Sequence, residues 1–179
     1  FPVVVKPTDR SGSRAITKVT DPSELPAAIE AAIAQSFEKK AIVEEYISGA
    51  EYSVETISYQ GKHTCLAITK KLTTGSPHYI EVGHLQPAPL TEDIRKKVEE
   101  TVFRALDALG VEFGAGHSEL RINEKGEIRI IEIGSRMGGD CIGSDLVPDR
   151  ILWAWLWTPQ PEICLSSKKM SRIYLRSVS

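Results

Sequence analysis

Apolar positions recur along the chain with two periods, and the points where one period gives way to the other divide it into elements. Two β-branched runs, FPVVVK and AITKV, flank PTDRSGSR, whose Pro, Asp, Gly and Ser favour a turn; together they predict a hairpin. DPSELPAAIEAAIAQSF switches to helical spacing. Leu25, Ile29 and Ile33 share a face, Asp21 is placed as N-cap, Pro22 takes the first helical position, and Glu24 follows three residues after the cap. AIVEEYI reads as a third strand, after which Ser48 and Gly49 turn the chain into EYSVETISYQ, and this run meets KHTCLAITKK across Gly61. HYIEVGHLQPAP predicts another strand, closed by prolines that cannot donate to a ladder. The clearest helical period lies in TEDIRKKVEETVFRALDALG, capped by Thr91 and ended by Gly110, with Ile94, Val98, Val102, Ala105 and Leu109 on one face. GAGHSELRIN and GEIRIIEIGSR then form two strands, joined by the four residues Asn123 to Gly126 into an antiparallel hairpin.

Within that hairpin the pattern is broken by charge. Glu119 and Glu132 stand in otherwise apolar runs, and an antiparallel pairing lets them fall opposite one another on one face. Two facing carboxylates repel unless they are protonated or bridged by a cation. Oxygen ligands of this kind suit Mg²⁺, which takes one or two protein carboxylates and leaves positions for water and phosphate. The alternative is two glutamates on a solvent face. Arg136, in the glycine-rich break that follows Glu132, offers a planar fork for phosphate or carboxylate. At the other end, Lys6 closes a strand before a loop holding Ser11, Gly12, Ser13 and Arg14, which is either a hairpin turn or a clamp over phosphate oxygens. The loop has neither P-loop spacing nor a GxGxxG fingerprint.

Composition narrows the setting. The 179 residues are 41% hydrophobic and 26% charged, enough for one sizeable core divided into two lobes. A formal charge of −2 gives no electrostatic reason to expect nucleic acid or an anionic membrane as partner. Cys65, Cys141 and Cys164 are odd in number and widely spaced, so neither a disulfide framework nor a zinc site is indicated, and a reducing cytoplasm fits best. No signal sequence or membrane-spanning run is evident. Because the chain opens directly on a strand, it is expected to be part of a longer protein.

The order of these features resembles the ATP-grasp superfamily over nearly the first 150 residues. The resemblance implies an α+β fold, with two α+β lobes of largely antiparallel sheets enclosing a nucleotide cleft. It implies a small lobe at 1–57, a large lobe at 58–150 and a C-terminal segment at 151–179, where Trp153, Trp155 and Trp157 stand two apart and KKMSRIYLRSVS is either one more strand or disordered. By the same resemblance, Lys6 contacts nucleotide phosphate and the hairpin Asp9 to Arg14, with Ser11, Gly12 and Ser13, closes over it. In VEEYISGAEYSVE, Glu44 stands near the adenine amino group, the backbone of Glu45, Tyr46 and Ile47 lines the hinge beside the base, and Glu51 accepts from the ribose hydroxyls. Glu119 and Glu132 match the two metal-binding acids, and Arg136 matches the arginine at the acyl-phosphate. The implied cofactors are ATP and Mg²⁺, or Mn²⁺ in its place.

One departure is informative. Many members carry Asn two residues after the second metal-binding glutamate, where this chain has Gly134. That glycine, with RMGGD after it, resembles the branch containing bacterial L-amino-acid ligases. Glu81 and His84 in YIEVGHLQPAP are then candidates for substrate contact, as are the backbone amides of Gly138 and Gly139. Lys70 and Lys71 either reach phosphates or form a solvated strand end, and His63, His78 and His117 are expected to be structural or exposed. The implied reaction joins a small carboxylate to an amine through an acyl-phosphate. The competing readings are a carboxylase or carbamoyl-phosphate synthase half, and a nucleotide-binding module without catalysis. An N-terminal domain of the same protein is the expected partner, and a homodimer is left open.

Overall fold

A computed structural model describes residues 1–12, 14–74, 81–139 and 172–175, with the side chains of Glu81 and of 172–175 excepted. The expectations for Ser13, His78, Cys141, Cys164 and the three tryptophans lie outside the described residues, as does the side chain of Glu81. The chain divides into two compact units, one of residues 1–48 with 73–81 and the other of 49–72 with 82–179. The division thus falls at residue 48, before the expected boundary at 57. The reason is that the strand containing residue 57 is built into the sheet of the second unit.

In the first unit, β1 (Val3–Pro7) lies between β2 (Thr17–Val19) and β3 (Ala41–Glu45), both antiparallel to it. The expected first hairpin is present, with Val3 opposite Val19 and Val5 opposite Thr17. The helix beside it starts later than its cap signal suggests. Asp21 accepts from the Ser23 amide at 2.9 Å, but what it caps is a 3-10 turn, Pro22–Glu24. The α-helix α1 begins at Leu25 and ends at Gln35. Pro26 explains the break: as an interior residue of a helix begun at Pro22 its ring would clash with the carbonyl four residues back, whereas in a first turn the missing N–H costs nothing. Ala28 and Ala32 pack with Val5 and Val19 to form the core, and Leu25 and Ile29 cover it half-buried.

The second unit is a six-stranded sheet in the order β8-β7-β4-β5-β6-β9. Its strands are β4 (Ala50–Tyr59), β5 (Lys62–Thr73), β6 (Glu81–Gln86), β7 (Gly114–Ile122), β8 (Ile128–Gly134) and β9 (Arg172–Leu175). RIYL in the tail therefore forms a strand, antiparallel to β6, with Gly83 opposite Leu175. Helix α2 (Glu92–Ala108) starts at Thr91, whose hydroxyl accepts from the Ile94 amide at 3.4 Å. It packs Val98, Val102 and Leu106 against Tyr52, Val54, Ile68 and Leu120. Burying side chains of this size contributes about 1.5–3 kcal/mol each. Leu106 takes the place expected for Leu109, which is the C-cap residue and 64% exposed. The architecture is α+β with antiparallel pairing, as expected.

Two local features set the register around the glutamates. Gly49, at φ +127°, enters β4 so close to β7 that an added Cβ would lie 2.4 Å from the Ile122 carbonyl oxygen. The β7–β8 connection is one residue longer than expected: Ile122 pairs with Ile128, and the Asn123 side-chain oxygen accepts from the amides of Lys125 and Glu127, each at 3.0 Å. A bulge follows. Leu120 pairs with Ile130 but Glu119 pairs with Glu132, so Ile131 is the extra residue.

Candidate functional site

The bulge is what brings the two acids opposite one another. Continued regularly from Ile122 and Ile128, the ladder would set Ile131 against Glu119; the extra residue moves Glu132 into that place. Directly opposed residues project from the same face of an antiparallel pair, so both carboxylates share one side of the sheet. Glu132 is exposed, while the Glu119 side chain is 21% exposed.

Behind Glu119 the three central strands supply a continuous ionic network. Buried Lys71 on β5 reaches Glu119 Oε1 at 2.8 Å and Glu51 Oε1 at 3.2 Å. Arg121 on β7 donates to Glu51 Oε2 at 2.9 Å, across a pair in direct register. Buried His117, two residues from Glu119 and hence on its face, contacts Glu119 Oε1 through Nε2 at 3.2 Å and Glu55 Oε1 through Nδ1 at 2.5 Å. Burial opposes charging of the imidazole, but the bonds to Glu119 and Glu55 prevail and raise its pKa to about 9. Burial also opposes ionisation of Glu119, yet His117 and Lys71 outweigh it and hold the carboxyl down at about 2. Glu119 is thus an anion at neutral pH, and both its contacts fall on Oε1. A carboxylate offers about four lone-pair sites, so capacity for a cation remains.

The loop after β8 turns back onto this network. The Gly138 amide donates to Glu55 Oε2 at 3.0 Å. Arg136 is exposed and donates from Nη1 to the Met137 carbonyl at 2.8 Å. Gly134 lies opposite His117, and a Cβ at Gly134 would sit 3.5 Å from the Arg136 side chain, in ordinary contact with it. Gly139 is exposed. Half-buried His84 lies on β6, in register with Tyr174, and Glu81 begins that strand.

In the first unit, Lys6 and Glu44 form an ion pair of 2.7 Å, made possible because Glu44 sits opposite Val4, one step diagonally from Lys6. Glu45 is exposed opposite Val3. The Tyr46 amide donates to the Pro2 carbonyl at 3.2 Å, the Lys18 ammonium stands 3.8 Å from the Tyr46 ring centre, and Ile47 is half-buried. Ser11 and Gly12 are exposed, and Gly12 has φ +69°. The loop before them is tied down at its start: Asp9 accepts from the Glu38 amide at 2.7 Å, Arg10 donates to the Gln35 carbonyl, and its guanidinium lies 3.7 Å over the Phe37 ring.

Glu119 and Glu132 stand out in the sequence as charges in apolar runs, whereas most of the side chains that support them do not. Lys71 is buried rather than a solvated strand end, and His117 is structural, the first of the two alternatives expected for it, bonded to Glu55 and Glu119. Glu55 carries the signal that singles out Glu132, a carboxylate in a strand of apolar and small residues. Glu51 is paired with two cations, a fact no spacing could reveal. Among the described residues no group of three or more His, Cys, Asp or Glu is gathered as a metal site, and no helix is long and apolar enough to cross a membrane. Two carboxylates completed by water and phosphate oxygens is the mode in which Mg²⁺ is usually held, so the pair fits that ion.

Residues 1–144 match the ATP-grasp domain. The D-alanine–D-alanine ligase of Flavobacterium johnsoniae is 32% identical over 128 residues, covering 68% of this chain and 39% of the relative. The alanine–anticapsin ligase of Bacillus subtilis is 28% identical over 160 residues, covering 77% and 34%. The crystal structure of an L-amino acid ligase from Bacillus licheniformis superposes with a TM-score of 0.70 at 32% identity, covering 82% of this chain and 34% of that one. A biotin carboxylase from Campylobacter jejuni, at 22% identity and a TM-score of 0.69, shares the fold. The chain spans about a third to two fifths of the length of these relatives.

Proposed function

The chain belongs to the ATP-grasp domain family, and on that premise we propose that the protein is an ATP- and Mg²⁺-dependent ligase joining a small carboxylate, such as an amino acid, to an amine. The register of Glu119 against Glu132 carries the reading, because it sets an anion held by Lys71 and His117 beside an exposed second carboxylate. The ligases among the relatives support the amine acceptor. A cytoplasmic setting belongs to the same reading.

In the proposed reaction a carboxylate oxygen of the first substrate attacks the γ-phosphorus, the bond to the β-phosphate oxygen breaks, and ADP leaves. The amine then attacks the acyl carbon, phosphate departs with that oxygen, and the amine proton is released. Glu119 and Glu132 would hold Mg²⁺, or Mn²⁺, which neutralises phosphate charge while it is bound. Lys6 contributes a point charge toward phosphate and Glu44 a carboxylate toward the adenine amino group, each giving up part of the pair they make with one another. The main chain from Glu45 through Tyr46 to Ile47 lines the base, Ser11, Gly12 and Ser13 approach phosphate, and Glu51 accepts from the ribose hydroxyls with lone pairs beyond those it gives to Lys71 and Arg121. Arg136 meets the oxyanion formed on amine attack, which its exposure and planar fork allow. Glu81, His84 and the Gly139 amide are assigned to the substrates; the Gly138 amide, expected to join them, is instead engaged by Glu55.

Assaying ADP release by the full-length protein over a panel of carboxylates and amines tests this. We expect turnover that needs a carboxylate and an amine together. Turnover with bicarbonate in the absence of any amino acid or other organic carboxylate would overturn the ligase reading.

A further inference from the structure

Glu55 is an acid to which the proposed reaction gives no task. It is 1% exposed on β4, and both its oxygens are engaged: Oε1 with His117 Nδ1 at 2.5 Å and Oε2 with the Gly138 amide at 3.0 Å. A buried carboxylate is costly unless such partners satisfy it, so its presence inside the sheet calls for a reason. The partners supply one, because they lead to two different parts of the same site. His117 passes from Glu55 on one ring nitrogen to Glu119 on the other. Gly138 belongs to the loop that carries Arg136. The fit is close: a Cβ on Gly138 would lie 2.6 Å from Glu55 Oε1 and 2.8 Å from His117 Nδ1, so glycine is needed for the loop to reach the carboxylate.

We propose that Glu55 is a positioning residue that fixes Glu119 through His117 and the Arg136–Gly139 loop through the Gly138 amide, so that metal acid and loop keep one spacing. The roles of Glu119 and the loop rest on the ligase reading; the latch itself does not. In the latched arrangement the Gly138 N–H is spent on Glu55, which leaves Gly139 to meet a substrate carboxylate.

Amide hydrogen exchange in the full-length, nucleotide-free protein tests the latch, with amides of β4 and β5 as internal reference. Glu55→Gln keeps the shape, and its carbonyl can still accept from Gly138, but without the charge that makes such bonds roughly twice as strong. We expect exchange at Gly138 to quicken about fivefold in Glu55→Gln and about twentyfold or more in Glu55→Ala, while the β4 and β5 amides change less. The Mg²⁺ concentration needed for half-maximal nucleotide binding should rise several-fold in Glu55→Gln. If Glu55→Ala does not fold, Glu55→Gln decides alone. Unchanged exchange at Gly138, acceleration shared equally by β4 and β5, or an unchanged Mg²⁺ requirement would overturn the proposal. Nucleotide binding that is indifferent to Mg²⁺ in the parent protein would instead overturn the metal reading, and leave the exchange result to judge the latch.

Discussion

Arg136 is exposed, and its assigned work begins only when the amine attacks, so its loss should be felt in rate and little in nucleotide binding. Arg136→Ala should bind ATP almost normally and ligate about 10²–10³ slower, the scale of removing one oxyanion donor. Lysine should rescue it poorly, because a point charge does not reproduce the planar fork. Glu132→Gln should instead raise the Mg²⁺ requirement for ATP binding, since a neutral amide is a weak ligand for a hard cation. ATP affinity and ligation rate measured on both variants separate the two roles. The paired pKa shifts make a further prediction for the metal-free protein. His117 is raised from 6.5 to about 9, so its contribution to stability is complete below pH 6.5 and fades as pH climbs through about 9. Glu119 is lowered from 4.5 to about 2, so its contribution is present above pH 4.5 and fades as pH falls through about 2. Denaturant midpoints across pH should therefore fall at both ends in the parent, and His117→Gln should flatten the alkaline arm. At this scale the sequence exposes a charge in an apolar run but not its partner. Glu132 was legible on that ground, whereas Lys71 on β5 meets Glu119 on β7 only after β4 has brought them to one face.

Elements were legible where a period ran long and ended on a clear stop. Helix α2 is of this kind, and its single misassigned core position, Leu109 for Leu106, comes from placing the helix end one residue too late. Helix α1 shows the limit of cap signals: Asp21 and Pro22 are good starting residues, but a second proline four residues on transfers the α-helix to Leu25. The bulge in β8 was not legible at all, since no residue type announces Ile131 as extra, and without it the acid pair would be out of register. Gly49 anchors the other edge of β7, where φ +127° and the nearness of Ile122 exclude a side chain. Gly49→Ala should cost about 1–3 kcal/mol, seen as a lower urea midpoint with unchanged slope. A midpoint equal to the parent's would show that the β4 entry relaxes freely.

Across the whole chain, the family and the α+β class could be read because order and spacing survive where single motifs are weak: Lys6, the glycine loop, VEEYISGAEYSVE and the two acids come in one sequence. The division into units could not, since β4 continues the segment that holds Glu44 yet pairs with β5 and β7. Chemistry at this scale comes down to whether a carboxylate is activated by phosphoryl transfer. The most direct measurement uses a carboxylate substrate labelled with ¹⁸O in both oxygens, turned over with ATP and an amine by the full-length protein, with the released phosphate weighed by mass spectrometry. An acyl-phosphate requires one ¹⁸O to leave with each phosphate formed, and that is the predicted result. Phosphate free of label, with both ¹⁸O atoms kept in the carboxylate or its product, would contradict the account.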